Sequence, residues 1–244
     1  MSVRVEWLDA VCSIVIDRPV KRNAVDLDTL RLLQAAQIEA RTARVVVLSG
    51  APPAFCSGAD LSGVELGVFT DTLLDVLRGF GRLPAITIAA VDGPALGAGT
   101  QLAAACDLRV TTPSSKFGVP AAKLGLAVDR WTVARVGNEA GWSAARHMLL
   151  TGEAVLAESL LGAFVHRLGD VASALAWASE LADLAPLTIS AHKMALESLM
   201  GDGAASPFSV AEVESARLAA WASTDADEGR RAFMEKRAPR FDGR

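Results

Sequence analysis

Residues 83–110, LPAITIAAVDGPALGAGTQLAAACDLRV, decide how the rest of the chain is read. Ile86–Val91 is an almost unbroken apolar run, the pattern of a strand covered on both faces rather than on one. Gly93, Pro94, Gly97 and Gly99 punctuate the next stretch as a tight turn. Ala98–Ala105 then has the small apolar residues of a short buried helix, and Leu108–Thr111 reads as the next strand. Two strands joined through a helix run parallel, because the crossover returns the chain to the end it left.

The same alternation extends upstream. Residues 45–48 form a β-branched run closed by Gly50, residues 51–63 are rich in Pro, Gly and Ser and read as a loop, and residues 70–82 have helical periodicity. Asp26 is placed to cap a helix carrying Leu27, Leu30, Leu33 and Ile38, and Val3–Leu8 with Val11–Ile16 makes a hairpin around Asp9-Ala10. Downstream, residues from Arg135 on read as helical except near 165–168, with further helices over 171–184, 187–199, 211–221 and 228–236 and a turn at 201–203. This predicts an α/β core over residues 1–185, a mainly parallel sheet clad in helices, followed by a helical C-terminal region over 186–244.

The chain has 244 residues, 51% of them hydrophobic and 21% charged, enough to bury a full core without metals or disulfides. Its net charge of −4 argues against a nucleic-acid partner, which needs clustered positive charge. The three cysteines, Cys12, Cys56 and Cys106, form no metal-binding or disulfide pattern, which suggests a reducing, cytoplasmic setting. Glu6 and Asp9 interrupt any signal-peptide core, and Asp92 interrupts the best apolar stretch before it reaches the roughly 18 residues a membrane span needs. No metal site is expected: His147, His166 and His192 stand alone.

Two familiar motifs fail on their residues. Gly97-Ala98-Gly99 opens a helix after a strand, but Leu102 stands where a dinucleotide fingerprint needs its third glycine, and no acidic residue follows about twenty positions on. Residues 141–145, GWSAA, lack the closing glycine of a serine-hydrolase elbow. What remains is a pair of glycine-bearing turns after successive strands, around Gly58-Ala59 and Gly97-Ala98. If the amides of Ala59 and Ala98 converge, they make a two-donor pocket for a carbonyl oxygen that gains negative charge, helped by the helix N-terminus. Read from glycine content alone, both are simply tight turns.

Five strings in order resemble the crotonase (enoyl-CoA hydratase/isomerase) superfamily along essentially the whole chain. They are Ile16-Asp17-Arg18-Pro19 with Asn23-Ala24; residues 54–63, AFCSGADLSG; residues 83–110; Lys116-Phe117-Gly118-Val119-Pro120 with Leu124-Gly125-Leu126; and residues 232–237, AFMEKR. The resemblance implies a spiral of ββα turns with a helical trimerisation region, a homotrimer or dimer of trimers, and a role in fatty-acid or other lipid metabolism. It implies no permanently bound cofactor. Coenzyme A enters as part of an acyl-CoA or enoyl-CoA thioester, whose carbonyl lies between the amides of Ala59 and Ala98. The family usually has glycine where Ala98 stands, so a left-handed backbone there would strain the alanine.

By the same resemblance Lys21, Arg22, Ala24, Asp60 and Leu61 face the nucleotide end of the ligand, and Phe233 and Lys236 cover it, often from a neighbouring subunit. Asp60 reads by itself as a turn-fixing residue. The resemblance also shows what is missing. Hydratases place glutamates where this chain has Gln101 and Ala121, and neither an amide nor a methyl group can carry a proton. Asp129, twelve residues after Phe117, falls where dienoyl-CoA isomerases have an aspartate that moves a proton. Among Leu126, Val128 and Trp131 it could be poorly solvated, and read from local sequence alone it caps the next helix. Two functions stay open: an acyl-CoA-binding protein with weak or no hydratase activity, or an active hydratase, isomerase or thioester hydrolase using Asp129.

Overall fold

The computed structural model of the chain describes residues 2–60, 62, 66–200 and 207–244. The turn expected at 201–203 and the site residue Leu61 lie outside the described residues. Strands β1 (Val3–Leu8) and β2 (Val11–Ile16) form the expected hairpin, turning on Asp9, whose φ is +51°. Helix α1 (Leu27–Glu39) starts where Asp26 accepts from the Thr29 amide at 2.8 Å, a cap worth about 1 kcal/mol. Its inner face is Leu30, Leu33, Ala36 and Gln37; Ile38, expected on that face, is exposed.

Strand β3 (Val45–Gly50), helix α2 (Leu66–Arg82), strand β4 (Ile86–Val91), strand β5 (Pro94–Leu96) and helix α3 (Ala98–Ala105) follow. Then come β6 (Leu108–Thr111), β7 (Lys116–Gly118), α4 (Arg130–Ala140), α5 (Trp142–Thr151), β8 (Val155–Leu156) and β9 (Arg167–Leu168). The larger sheet has the order β1-β2-β3-β4-β6-β9, antiparallel only at the first pair. Alternate residues of β3 enter different cores: Val46 and Leu48 pack with α1, α2 and α3, while Val45 and Val47 pack with helix α6 (Val171–Leu181). Both faces are covered, which is why these strands read as continuous apolar runs.

A second, smaller sheet, β5-β7-β8, runs alongside. Isolated bridges between Cys56 and Ala95 and between Val25 and Ala59 extend the same row. Strands β2, β3, β4 and β6 each lead into a rung of this row, and the rungs stack the loops that follow β3 and β4. The C-terminal helices α7 (Pro186–Leu199), α8 (Val210–Trp221) and α9 (Thr224–Glu235) complete the chain. They attach at the opposite end of the parallel strands. Lys193 of α7 donates to the carbonyls of Phe80 and Ala85, both at 2.9 Å, just before β4, and Arg44, just before β3, donates to the Phe241 carbonyl at 2.7 Å. Among the described residues no helix is long and apolar enough to cross a membrane.

Helix α3 is tied at its C-terminal end to side chains of β6 and α4. Its last carbonyls are taken by buried guanidiniums: Arg109 donates to Ala103 and Cys106, and Arg135 to Ala104 and Ala105. Glu139 bridges the two arginines, Glu197 pairs with Arg135 at 2.7 Å, and the Arg109 guanidinium lies 4.5 Å over the Phe164 ring. Two cations buried in a core are tolerable because every polar edge is matched.

Candidate active site

The loop after β3 is shaped from its root. Asn23, fully buried with φ +58°, donates to the carbonyls of Ala51 and Ala54, both at 2.6 Å, and accepts from the Arg18 amide at 2.8 Å. The chain then passes beside β5, with the Leu96 amide donating to the Cys56 carbonyl at 2.9 Å. The Val25 amide donates to the Gly58 carbonyl at 2.9 Å and the Asp60 amide to the Val25 carbonyl at 2.8 Å. Ala59 sits between these bonds. Among the described residues its own amide has no acceptor.

The turn into α3 meets this loop. Gly97 has φ +53°, and a Cβ placed on it would lie 3.7 Å from the Gly58 Cα, so the two turns touch. Gly99 lets the helix lie against the loop, since a Cβ there would stand 2.2 Å from the Cys56 carbonyl oxygen. Ala98 is the first residue of α3 and is buried, and among the described residues its amide also lacks an acceptor. The strain considered for Ala98 does not arise: the left-handed residue is Gly97, one position earlier. Thr100 locks the turn: its hydroxyl shares its one hydrogen between the Ala95 and Gly118 carbonyls, at 2.7 and 2.9 Å, and accepts from the Gly118 amide at 3.0 Å. Sequence reasoning passed over Thr100, for which a hydroxyl in the first turn of a glycine-opened helix was the available signal.

Gln101, buried one turn into α3, donates from Nε2 to the Thr132 hydroxyl at 2.7 Å. Thr132 in turn donates to Asp129 at 2.6 Å, while its amide donates to the other carboxyl oxygen at 3.0 Å. Asp129 is therefore the N-cap of α4, the reading its local sequence allowed, and it is exposed rather than enclosed by Leu126, Val128 and Trp131. Thr132, the link to Gln101, was not anticipated. Ala121 lies half-buried in the short helix Pro120–Leu124 and offers only a methyl group and a carbonyl already bonded to the Leu126 amide. Phe117 is a core residue, stacked edge-on against Phe164 at 4.8 Å.

On the other side of Ala59, Lys21 and Arg22 are exposed at the end of the short helix Pro19–Lys21, with Arg22 at φ +50°. Arg18, part of the first string that resembles the family, organises this corner. It donates to the Ala24 carbonyl and pairs with Asp26 at 2.7 Å and Asp60 at 3.3 Å. The Ser62 hydroxyl, with Lys21 and Arg18 behind it, holds the Asp60 carboxyl below the usual range. Phe233 and Lys236 are not brought to this corner within one chain. Phe233 is 86% exposed, Lys236 closes α9, and the tail beyond them is anchored near Arg44 at the far end of β3. Among the described residues no cluster of His, Cys, Asp and Glu could hold a metal.

The chain is similar in sequence and in fold to proteins of one family. The family model described as enoyl-CoA hydratase/isomerase matches residues 6–244. "Probable enoyl-CoA hydratase echA6" of Mycobacterium tuberculosis is 41% identical over 239 residues, covering 96% of this chain and 97% of that protein. "Enoyl-CoA isomerase/hydratase fer4" of Mycosarcoma maydis is 34% identical over 270 residues, covering 97% of this chain and 94% of that protein. The crystal structure of an enoyl-CoA hydratase/carnithine racemase from Magnetospirillum magneticum superposes with a TM-score of 0.88 at 29% identity, covering all of this chain (100%) and 96% of that one. Sequence, topology and the paired turns together make this chain a member of the enoyl-CoA hydratase/isomerase family, with its crotonase-type α/β fold.

Proposed function

We propose that the protein binds acyl-CoA or enoyl-CoA thioesters, with the thioester carbonyl between the amides of Ala59 and Ala98, and serves fatty-acid or other lipid metabolism with little or no hydratase turnover. The observation that carries this reading is the pair of amides with no acceptor among the described residues, on two touching turns, one of them the N-terminus of a helix. That is a preorganised pair of hydrogen-bond donors for a carbonyl oxygen that gains negative charge. Where the resemblance puts two glutamates, Gln101 and Ala121 supply no group that gains and loses a proton. Asp129 is engaged by Thr132 through both oxygens, which favours binding over the alternative in which it runs an isomerisation or hydrolysis.

Lys21, Arg22 and the backbone around Ala24 and Asp60 form the polar, partly cationic edge for the anionic nucleotide of coenzyme A. Phe233 and Lys236 would reach it from another copy in a trimer or dimer of trimers. The exposure of Leu199, Val210, Trp221, Phe233 and Met234 on and beside the C-terminal helices supports such an assembly.

Titration calorimetry with hexanoyl-CoA and dodecanoyl-CoA, alongside the absorbance change on crotonyl-CoA hydration, tests the reading. Saturable binding is expected, with hydration slower by about 10²–10⁴ for each absent proton carrier. No affinity for any thioester, or robust hydration, overturns it.

A further inference from the structure

The Gln101 amide has a defined orientation. The Thr132 hydroxyl has one hydrogen, and the Asp129 oxygen 2.6 Å away accepts it. The same hydroxyl can then meet Gln101 only as an acceptor, so Gln101 must present Nε2 to it, at 2.7 Å, and turn Oε1 the other way. Among the described residues no donor reaches Oε1. Nor is Oε1 sealed in the core, because the one fully enclosed side-chain oxygen or nitrogen without a partner among the described residues is Thr111 Oγ1. Gln101, only 5% exposed, therefore shows an unpaired acceptor at its small open surface, one helical turn beyond Ala98.

Resting on the thioester reading above, we propose that Thr132 and Asp129 are positioning residues that lock Gln101 with its carbonyl toward the acyl chain, so that the site selects thioesters bearing a β-hydroxyl over those bearing a β-ketone. Residues three apart on a helix are about 5–6 Å apart, which puts the Gln101 side chain beside the carbons next to a carbonyl held at Ala98. A β-hydroxyl donates to Oε1. A saturated chain leaves Oε1 without a donor, and a β-ketone sets oxygen against oxygen. Gln101 is then the specificity-determining residue, and its selectivity depends on a hydroxyl thirty-one positions away in the sequence.

The test is calorimetric titration of the full chain with hexanoyl-CoA, β-hydroxyhexanoyl-CoA in both enantiomers and β-ketohexanoyl-CoA, repeated with the dodecanoyl set. One hydrogen bond gained against one acceptor clash predicts about tenfold tighter binding of one hydroxy enantiomer than of the ketone. Thr132→Val frees the amide to flip and brings that ratio to within about twofold, whereas Thr132→Ser, which keeps the hydroxyl, restores it. If Thr132→Val does not fold, Gln101→Met, similar in shape but without an acceptor, must abolish the preference. Equal affinity for hydroxy and keto thioesters in the unaltered protein, or a preference that survives Thr132→Val or Gln101→Met, overturns the proposal. Those results leave thioester binding standing, whereas failure of all the thioesters to bind overturns the parent reading as well.

Discussion

At the N-terminal end of α3 the Ala98 amide has no acceptor among the described residues, whereas at the C-terminal end the carbonyls of Ala103, Ala104, Ala105 and Cys106 are taken by Arg109 and Arg135. Both ends of an α-helix carry orphan polar groups and half a unit of dipole charge. In this protein the negative end is neutralised inside the core, and the positive end keeps an amide with no acceptor among the described residues. The contrast separates two duties of one eight-residue helix. Its far end supplies rigidity, and its near end supplies an unsatisfied donor at a fixed place.

Breaking the closed end should have the largest effect. Arg109→Met removes the guanidinium but leaves Glu139 and the Ala103, Cys106 and Phe164 carbonyls without their donor. Uncoupling a buried pair from one side costs about 3–5 kcal/mol. Urea unfolding should show that loss as a lower midpoint with little change in slope. A loss under 1 kcal/mol would mean that the α3 carbonyls do not depend on Arg109.

Disturbing the open end should cost less stability and more binding. Gly99→Ala places a Cβ 2.2 Å from the Cys56 carbonyl oxygen, a backbone atom with no room to yield, so the helix must back away from the loop. Overpacking of this kind costs about 1–3 kcal/mol. Because the displacement separates the amides of Ala59 and Ala98, hexanoyl-CoA affinity should fall by at least about tenfold, the equivalent of 1.4 kcal/mol. A variant that binds as tightly as the unaltered chain would show that the two turns need not touch.

The unequal legibility of the two ends follows from the range of the forces involved. Gly97, Gly99 and Gly58 announce themselves in the sequence because a backbone that turns sharply or approaches closely admits little else, and β3 and β4 do so through nearly unbroken apolar runs. The strands β5, β7 and β8 have two or three residues each, too few for any periodicity, so no local pattern marks the second sheet and only the resemblance, with its ββα turns, implies it. Apolar spacing places helix ends a few residues off, as at α2, which begins at Leu66 rather than 70, and α9, which begins at Thr224 rather than 228. The arginine clamp on α3 and the Gln101–Thr132 bond join residues up to thirty-one apart, and nothing local to Arg109, Arg135 or Thr132 signals the partner. Asp129 was ambiguous for a different reason: an aspartate before a helix has the same sequence context whether it caps or moves a proton, and the Thr132 geometry shows the cap.

The smallest effect belongs to the closed end and is read through pH. His166 Nδ1 accepts from the Arg109 amide at 3.2 Å, and burial, reinforced by the Arg109 charge, takes its pKa down to about 4 from the ordinary 6.5. Between those values the unfolded chain binds a proton that the folded chain refuses. Stability therefore falls as the pH drops from about 6.5 towards about 4, and is fully present above that window. The ring is partly exposed, so solvent screening trims the effect to about 1 kcal/mol. His166→Asn can keep an acceptor for the Arg109 amide without titrating in this range. Its unfolding free energy should lose less between pH 7 and pH 5 than that of the unaltered chain, and parallel slopes would show that His166 does not report on the clamp.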